Sequence, residues 1–433
     1  NNLGSALYKK GDLDGATTCF KEAIRLNPKY ASAHNGLGWI LKDKNDLDTA
    51  IACFKEAIRL DPKSTIAHFN LGIALVKKGD LDGAIASYKE ATQHDPENTI
   101  AHFNLGIVLV KKGDLDGAIA SYKLAIRINP NHAPSQNNLG NALKAKGDLN
   151  GAIVCFKEAI RLDPKFIHLH CNLGNTLKAK GDLNGAIDCF KEAIRLDQNY
   201  APAHDNLGWT LRAKGDLNGA IDCFKEVIRL DPKNTQARKN LLQTTQWQSL
   251  VPLLEEVANG RARPRTPIEA CNLAMLSAQT FRKQYAIATR LYADAFADMP
   301  KLVEDLDSAI RYNAACCAVL AGCGKGIDSP DDANFRFALR RQALGWLQAD
   351  LAFRTSLAKS DNPAGRQKLV QHLGHWLSDL NFVGVRPGPG RIEMPAKEQA
   401  DWDALWVDVG AVLAEVQKLP SPRPIAPPPR EVR

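Results

Sequence analysis

The chain has 433 residues, of which 45% are hydrophobic and 24% are charged, and its formal net charge is +8. This length exceeds one ordinary domain, and the composition is that of folded rather than disordered protein. Lys and Arg are spread along the chain beside Asp and Glu, whereas a nucleic-acid binder usually concentrates them in one stripe. No stretch approaches the ~20 apolar residues of a transmembrane helix, so we expect no nucleic-acid and no membrane partner.

A Leu-Gly pair returns every 34 residues through the first half of the chain. Self-similarity at such a period predicts a stack of small structural units, each of which buries its apolar face against the next. The pairs begin at Leu3, Leu37, Leu71, Leu105, Leu139, Leu173 and Leu207.

Residues 65–98 show how one such unit folds. Leu71 and Leu75 are four residues apart and therefore share one face of a helix. Gly79 follows the apolar run and suits a left-handed helix end. Asp80 comes next and can cap the N-terminus of a second helix.

The second helix of the unit carries Ala84, Tyr88 and Ala91 on one face, with spacings of four and three. Pro96 closes the unit, because the residue before a proline resists helical geometry. Gly72 on the first helix and Ala84 on the second are small enough to let the helices approach closely, with Tyr88 filling the remaining space. Each repeat is thus predicted to be helix, tight turn, helix, tight turn.

This pattern resembles the tetratricopeptide repeat family. The resemblance covers residues 1–234 as seven repeats, of which the first is incomplete. It implies an all-α fold, a right-handed α-solenoid of helix hairpins followed by a helical domain of degenerate repeats. Three positions depart from the pattern: Gln198 replaces the closing Pro, Asn45 replaces the turn Gly, and Val227 replaces a small Ala.

The regular period stops after the seventh repeat. Residues 235–246, with Leu241 and Leu242, are expected to form a capping helix over the last apolar face, and 247–268 a linker region with a basic segment. Residues 269–417 are interpreted as a helical domain of degenerate repeats, and 418–433 as a Pro-rich disordered tail. Within the helical domain, helices are expected near 288–295, 312–322, 339–351, 365–380 and 396–416.

The family resemblance also implies a binding site. In relatives, the first helices of the hairpins line a groove for an extended peptide, and the Asn before Leu-Gly holds the ligand backbone. An amide both donates and accepts hydrogen bonds, so it can pair with any peptide unit; the alternative is that these amides bond only within the array. The series, interrupted at Gly36, is Asn2, Asn70, Asn104, Asn138, Asn172 and Asn206.

The residues beside these Asn positions change character along the array. The change predicts a ligand with an apolar segment followed by an acidic or polar one. The apolar stretch is Phe69, Ile73, Phe103 and Ile107, with Trp39 before it. The polar, basic stretch is Asn137, Asn141, Lys144, Asn175 and Lys178, followed by Asp205, Trp209 and Arg212.

No catalytic motif stands out, so the chain is not expected to be an enzyme or to bind a small-molecule substrate. The Gly-rich stretch 322–326 lacks the spacing and the Ser or Thr of a phosphate-binding loop. Five of the ten cysteines recur at one repeat position without zinc-site spacing, which indicates free thiols and neither metal nor cofactor. Free thiols favour a reducing compartment, and we expect a cytoplasmic protein.

The second half resembles the tails behind tetratricopeptide arrays on bacterial serine/threonine protein kinases. The sequence segments that carry this resemblance are residues 290–296, 312–316 and 340–347. The chain begins inside a repeat and without Met, so we expect it to be a piece of a longer protein. Two functions follow: a protein-interaction scaffold that binds an extended peptide, or the substrate-recruiting or regulatory region of a kinase whose catalytic domain precedes Asn1.

Overall fold

The structure is a computed structural model that describes residues 2–279, 281–304, 309–358 and 363–418. Across these ranges the regular elements are helices and no β-strand occurs, which confirms the all-α fold class. The chain divides into two compact units, Asn1–Thr210 and Leu211–Arg433. The expected Pro-rich tail lies outside the described residues from 419 onward.

The first unit is a series of helix pairs, two helices for each 34-residue repeat. From α1 to α12, the two helices of a repeat contact each other, and the second helix contacts the first helix of the next repeat. The helices are α1 (Asn2–Lys9), α2 (Leu13–Leu26), α3 (Ala31–Asp43), α4 (Leu47–Leu60), α5 (Thr65–Lys78), α6 (Leu81–His94), α7 (Thr99–Lys112), α8 (Leu115–Ile128), α9 (Ala133–Ala145), α10 (Leu149–Leu162), α11 (Ile167–Lys180) and α12 (Leu183–Leu196). The next helix, α13 (Ala201–Lys214), begins in the first unit and includes the first residues of the second.

The turn inside each hairpin depends on a residue with positive φ followed by an Asp cap. Gly79 has φ +89° and ends α5, and Asp80 then accepts a hydrogen bond from Gly83 N at 2.9 Å. This confirms the turn and the cap expected for residues 65–98. Asn45 takes the same left-handed conformation with φ +66°, which Asn tolerates better than most residues.

Replacing the cap Asp148 by Ala is expected to reduce the stability of the hairpin α9–α10 by about 1 kcal/mol, because the first-turn amide of Gly151 would lose its acceptor at 2.8 Å. Amide hydrogen exchange in α10 measures this local loss. Asp148→Asn is the matched control, since Asn also caps helices, and it should retain most of the protection. Equal exchange in the Ala variant and the parent would show that the cap does not stabilise α10.

Close packing inside each hairpin depends on the Gly of the Leu-Gly pair. A Cβ atom added at Gly72 would lie 2.7 Å from Cε1 of Tyr88, and one at Gly140 would lie 2.8 Å from Cε1 of Phe156. Tyr88 and Phe156 are buried. The Gly therefore provides the space for the aromatic ring, as the sequence predicted, and the ring closes the core between the two helices.

Exposed ion pairs link neighbouring hairpins in the first part of the unit. In each pair a Lys near the end of a first helix contacts an Asp thirty residues earlier, at the start of the preceding second helix; Asn150 and Asn184 replace this Asp in later repeats. Such exposed pairs contribute little to stability. The pairs are Lys44–Asp14, Lys78–Asp48, Lys112–Asp82 and Lys146–Asp116.

The second unit is also helical, and the five helices expected in its later part are present. Its helices after α13 are α14 (Leu217–Leu230), α15 (Thr235–Ala258), α16 (Pro267–Ser277), α17 (Tyr285–Asp298), α18 (Ile310–Gly322), α19 (Ala333–Ala358), α20 (Pro363–Ser378) and α21 (Ala396–Lys418), with short 3-10 helices at Pro300–Glu304 and Leu380–Phe382.

The boundary expected between a capping helix and a linker at residue 246 is wrong, because α15 continues to Ala258. Trp247, Leu254 and Val257 are buried on this extension and belong to the same core cluster as α16 and α17. Leu242, which we expected to cover the last apolar face, is 72% exposed. The non-helical connection is therefore limited to the residues between α15 and α16.

Candidate functional site

The first helices of successive repeats contact each other, as seen for α3 with α5, α7 with α9 and α9 with α11. Side chains at equivalent positions of these helices therefore follow one another across the array. In α5 the relevant positions are Phe69, Ile73 and Val76, which share one helix face at spacings of four and three. We call the surface formed by these three positions in α3, α5, α7, α9 and α11 the first-helix face.

The part of the first-helix face on α5 and α7 is apolar. Phe69, Ile73, Phe103 and Ile107 are all half-buried and pack against the core of the first unit. The ring centroid of Phe103 lies 5.1 Å from that of His132, with the rings at 82° to each other. The structure thus brings together the four apolar residues that the sequence singled out.

The part of the first-helix face on α9 and α11 is polar. Asn141 is exposed, and Lys144, Asn175 and Lys178 are half-buried. Since α9 contacts α11, these amides and amines form one surface region. It follows the apolar region along the array, in the order that the sequence predicted.

Two of the six motif Asn side chains pair with an amide of the preceding repeat. Asn70 Nδ2 donates to Asn35 Oδ1 at 3.0 Å, and Asn172 Nδ2 donates to Asn137 Oδ1 at 2.9 Å. In both pairs the acceptor lies 35 residues earlier, one position before the motif Asn position of its own repeat. These amides therefore bond within the array, which is the alternative that the sequence left open.

For Asn104 and Asn138 the residue 35 positions earlier is a Phe, and each of these Asn side chains has a hydrogen-bond partner within its own helix. Phe69 lies 35 positions before Asn104, and Asn104 Nδ2 donates to the carbonyl of Ile100 at 2.9 Å. Asn138 accepts from Nδ2 of its neighbour Asn137 at 3.2 Å. The paired amides are therefore marked in the sequence by two Asn residues that are 35 positions apart. This spacing is longer than one repeat, so no single repeat contains both residues.

At the start of the first-helix face, three side chains form a network that the sequence analysis missed. Tyr8 Oη donates to Asp43 Oδ2 at 2.6 Å and accepts from Trp39 Nε1 at 2.8 Å. The hydrogen bond to the Asp43 carboxylate raises the pKa of Tyr8. Lys42 Nζ lies 3.3 Å from the Trp39 ring centroid, a cation–π geometry. Trp39, which recurs as Trp209, was the residue in the sequence that could have indicated this network, because a half-buried indole needs a hydrogen-bond partner for its N–H.

The last predicted site residues are divided between the units. Asn206 and Trp209 are half-buried in the first unit. Arg212 belongs to the second unit and is 7% exposed; its Nη1 donates to Gln243 Oε1 at 3.1 Å, and its guanidinium lies 5.0 Å from the Trp247 ring centroid. Arg212 is thus held by side chains of α15.

Comparison with protein families identifies the class of repeat. Residues 1–207 match the family model of the cilia and flagella-associated protein 70 C-terminal domain, a tetratricopeptide-repeat model, and residues 201–234 match the tetratricopeptide repeat model. The chain is therefore a tetratricopeptide-repeat protein, with its repeats in residues 1–234. Proteins with such repeats are generally scaffolds for protein–protein interactions.

Solved structures of other repeat proteins are similar to part of the chain. YrrB, a tetratricopeptide-repeat protein described as having an unusual peptide-binding site, is 26% identical, with 42% of this chain and 95% of that chain covered and a TM-score of 0.39. The C-terminal part of a repeat protein from Cytophaga hutchinsonii is 18% identical, with 55% and 98% covered and a TM-score of 0.49. No curated protein matches the chain.

None of the helices in the described ranges has the length and apolar character required to cross a membrane.

Proposed function

We propose that the first-helix face binds an extended peptide of a partner protein, with an apolar peptide segment over α5 and α7 and an acidic or polar segment over α9 and α11. The observation that carries this proposal is the change from half-buried Phe and Ile side chains to Asn and Lys side chains on adjoining first helices. Apolar area supports affinity, while charged and amide groups fix the register and the direction of the ligand.

The paired amides refine the role of the motif Asn residues. Asn172 uses one N–H for Asn137 at 2.9 Å, and an amide has a second N–H and an acceptor oxygen. The internal bond therefore orients the side chain without exhausting its hydrogen-bonding capacity. In this proposal a ligand backbone meets amides that are already fixed, which lowers the entropy cost of binding.

A peptide array tests the order of the two ligand segments. A peptide with an apolar block followed by an acidic block should bind more tightly than its scrambled counterpart. Lys144→Glu should weaken binding of the patterned peptide about tenfold, which corresponds to about 1.4 kcal/mol, because the acidic block would then face a like charge. Fluorescence anisotropy with a labelled peptide measures both effects.

Lys157→Glu is the matched control for this experiment. It makes the same charge change at an exposed position on the second helix α10, away from the first-helix face. It should leave the affinity unchanged. Equal binding of patterned and scrambled peptides, or equal losses in the two Lys variants, would exclude the proposed site.

A second candidate function rests on the second unit, namely the recruiting or regulatory region of a serine/threonine protein kinase. The three segments that resemble kinase tails lie in α17, α18 and α19, where Tyr292, Tyr312 and Leu347 contribute buried side chains. The reading frame ahead of Asn1 tests it: a kinase catalytic loop there would support this function, and further repeats alone would count against it.

The cysteines support a cytoplasmic setting for this function. All ten are free thiols, and burial raises the pKa of Cys171, Cys189 and Cys271 to about 11. Such thiols are protonated at neutral pH and act as small apolar side chains. A chain with this many free thiols suits a reducing compartment.

A further inference from the structure

The repeat formed by α5 and α6 differs from its neighbours at two adjacent positions near the end of the second helix. It carries Gln93 and His94, whereas the corresponding positions in α4 are Arg59 and Leu60. The Arg-Leu pair of α4 recurs in α2, α10, α12 and α14. The two changes occur together in one repeat, so their joint effect on the surrounding side chains is informative.

The loss of the Arg releases the carboxylate of Glu90. In the repeats that keep both the Glu and the Arg, the Arg donates to the Glu three residues before it, as Arg59 Nη2 donates to Glu56 Oε1 at 2.7 Å. In α6 that position is Gln93, and Glu90 Oε2 instead lies 3.7 Å from Nε2 of His94. The carboxylate thus faces an imidazole where other repeats have an apolar side chain.

His68, at the start of α5, is the third member of this group. Its Nε2 lies 3.0 Å from the carbonyl oxygen of Pro62. A carbonyl only accepts, so Nε2 must carry the hydrogen, and Nδ1 is left with a lone pair. His68 is only 8% exposed, and its ring centroid is 5.7 Å from that of His94.

One ligand atom from each of His68, Glu90 and His94 can be chosen so that all three lie within 4.8 Å of one another. We propose that these three side chains form a binding site for Zn²⁺. Two imidazoles and one carboxylate are a ligand set that proteins use for this ion, with a fourth position left for water.

The distances fit such a site after small side-chain movements. Zn–N and Zn–O bonds of about 2.0–2.2 Å in a tetrahedron place ligand atoms roughly 3.3 Å apart. Glu90 and His94 are already near this separation at 3.7 Å, and the carboxyl of Glu90 is 50% exposed and free to rotate. The hydrogen bond from His68 to Pro62 is the kind of outer contact that orients a metal-bound imidazole.

The next repeat provides an internal control. α7 is almost identical to α5, and His102 makes the same 3.0 Å contact with the carbonyl of Pro96. Leu124 and Ile128 occupy the positions of Glu90 and His94 there. Among the described residues, His102 Nδ1 is buried without a hydrogen-bond partner. This repeat thus has the same His without the two further ligands.

Isothermal titration of the metal-free, reduced full chain with Zn²⁺ tests the proposal. His94→Leu should remove one equivalent of Zn²⁺ or weaken that equivalent about 100-fold or more, since loss of even an outer-shell partner costs 10–100-fold. Leu occupies this position in five other second helices, so the variant is compatible with the fold. His68→Gln should have the same effect, and His102→Gln, its matched control, should bind as the parent does.

The variants also distinguish Zn²⁺ bound at this site from Zn²⁺ bound by cysteine thiols, because every variant retains all of the cysteines. With Co²⁺ as the probe, the parent and His102→Gln should share a visible absorption band from a four-coordinate site that His94→Leu lacks. Bound Zn²⁺ should also raise the melting temperature of the parent more than that of His94→Leu, because ligand bound to the native state stabilises it. Equal Zn²⁺ stoichiometry and affinity in the parent and His94→Leu would overturn the proposal.

Discussion

Replacement of Phe156 by Ala is expected to destabilise the hairpin α9–α10 by about 3–5 kcal/mol, the usual cost of removing a large buried aromatic side chain. Phe156 is 0% exposed, and its ring lies over Gly140 so closely that a Cβ there would be 2.8 Å from Cε1. Neighbouring helices cannot easily collapse into the space that Ala leaves. Because each hairpin contacts only its neighbours, the loss should be concentrated in α9, α10 and α11.

Amide hydrogen exchange resolved by segment measures this effect. Phe156→Tyr is the matched control, because Tyr88 and Tyr122 occupy the equivalent position in two other repeats. Burial raises the pKa of Tyr122 to about 12, and Asn138 shares a hydrogen bond with its hydroxyl. Asn172 stands in the same relation to residue 156. The Tyr variant should therefore be close to the parent, and comparable losses in the Ala and Tyr variants would contradict this explanation of the core.

Replacement of Glu398 by Ala is expected to destabilise the second unit by about 3–5 kcal/mol, because it leaves a buried guanidinium without its counter-charge. Arg340 Nη2 donates to Glu398 Oε2 at 2.9 Å, and Nη1 donates to the carbonyl of Gly322 at 2.6 Å. The two charged residues are 6% and 5% exposed. The pair thus connects α18, α19 and α21.

Urea unfolding followed by tryptophan fluorescence is a suitable measurement, since Trp376, Trp402 and Trp406 lie in the same core cluster. The double change Arg340→Met and Glu398→Leu should recover part of the lost stability, because it removes both charges together. Glu226→Ala, which breaks an exposed pair with Arg229 on α14, should leave the transition unchanged. A Glu398→Ala midpoint equal to that of the parent would show that this ion pair is dispensable.

The hairpins were predictable because local chemistry and period agree in this chain. Gly79 ends α5 in a left-handed conformation, and Asp80 caps α6, so two adjacent residues determine the turn. Gly72 and Tyr88 then show which faces meet. Each of these conclusions needs only residues within one 34-residue repeat, which is the scale at which sequence patterns are informative.

The length of α15 was not predictable from the repeat period. The period ends near residue 246, and Pro252 lies inside the helix, where it removes one backbone hydrogen bond. Burial of Trp247 and Leu254 in the second unit outweighs that cost. Tertiary packing therefore decides where this helix ends, and the sequence pattern of the repeats does not contain that information.

The amide pairs and the group of His68 with His94 were not predicted from the sequence, for a different reason. Asn172 finds its partner Asn137 in another repeat, and His68 lies 26 residues from His94, on the other helix of its hairpin. Neither spacing belongs to a short motif with known chemistry. The sequence was sufficient to place Phe69 and Lys144 on first helices. The hydrogen bonds of the neighbouring amides, such as Asn172 with Asn137, became known only from the three-dimensional structure.

The amide pairs make the repeats unequal with respect to deletion, because only some deletions would keep the contacts between neighbouring hairpins. Removal of residues 99–132 would leave Asn138 preceded, 35 positions earlier, by Phe69 instead of Phe103, and Lys146 would meet Asp82 instead of Asp116. Both substitutes are the same residue type, so these two contacts would be kept at the new junction. Removal of 133–166 would delete Asn137 and place Phe103 opposite Asn172. Loss of one repeat therefore keeps these contacts at one boundary, whereas loss of the next repeat removes an amide pair, although the repeats have similar sequences.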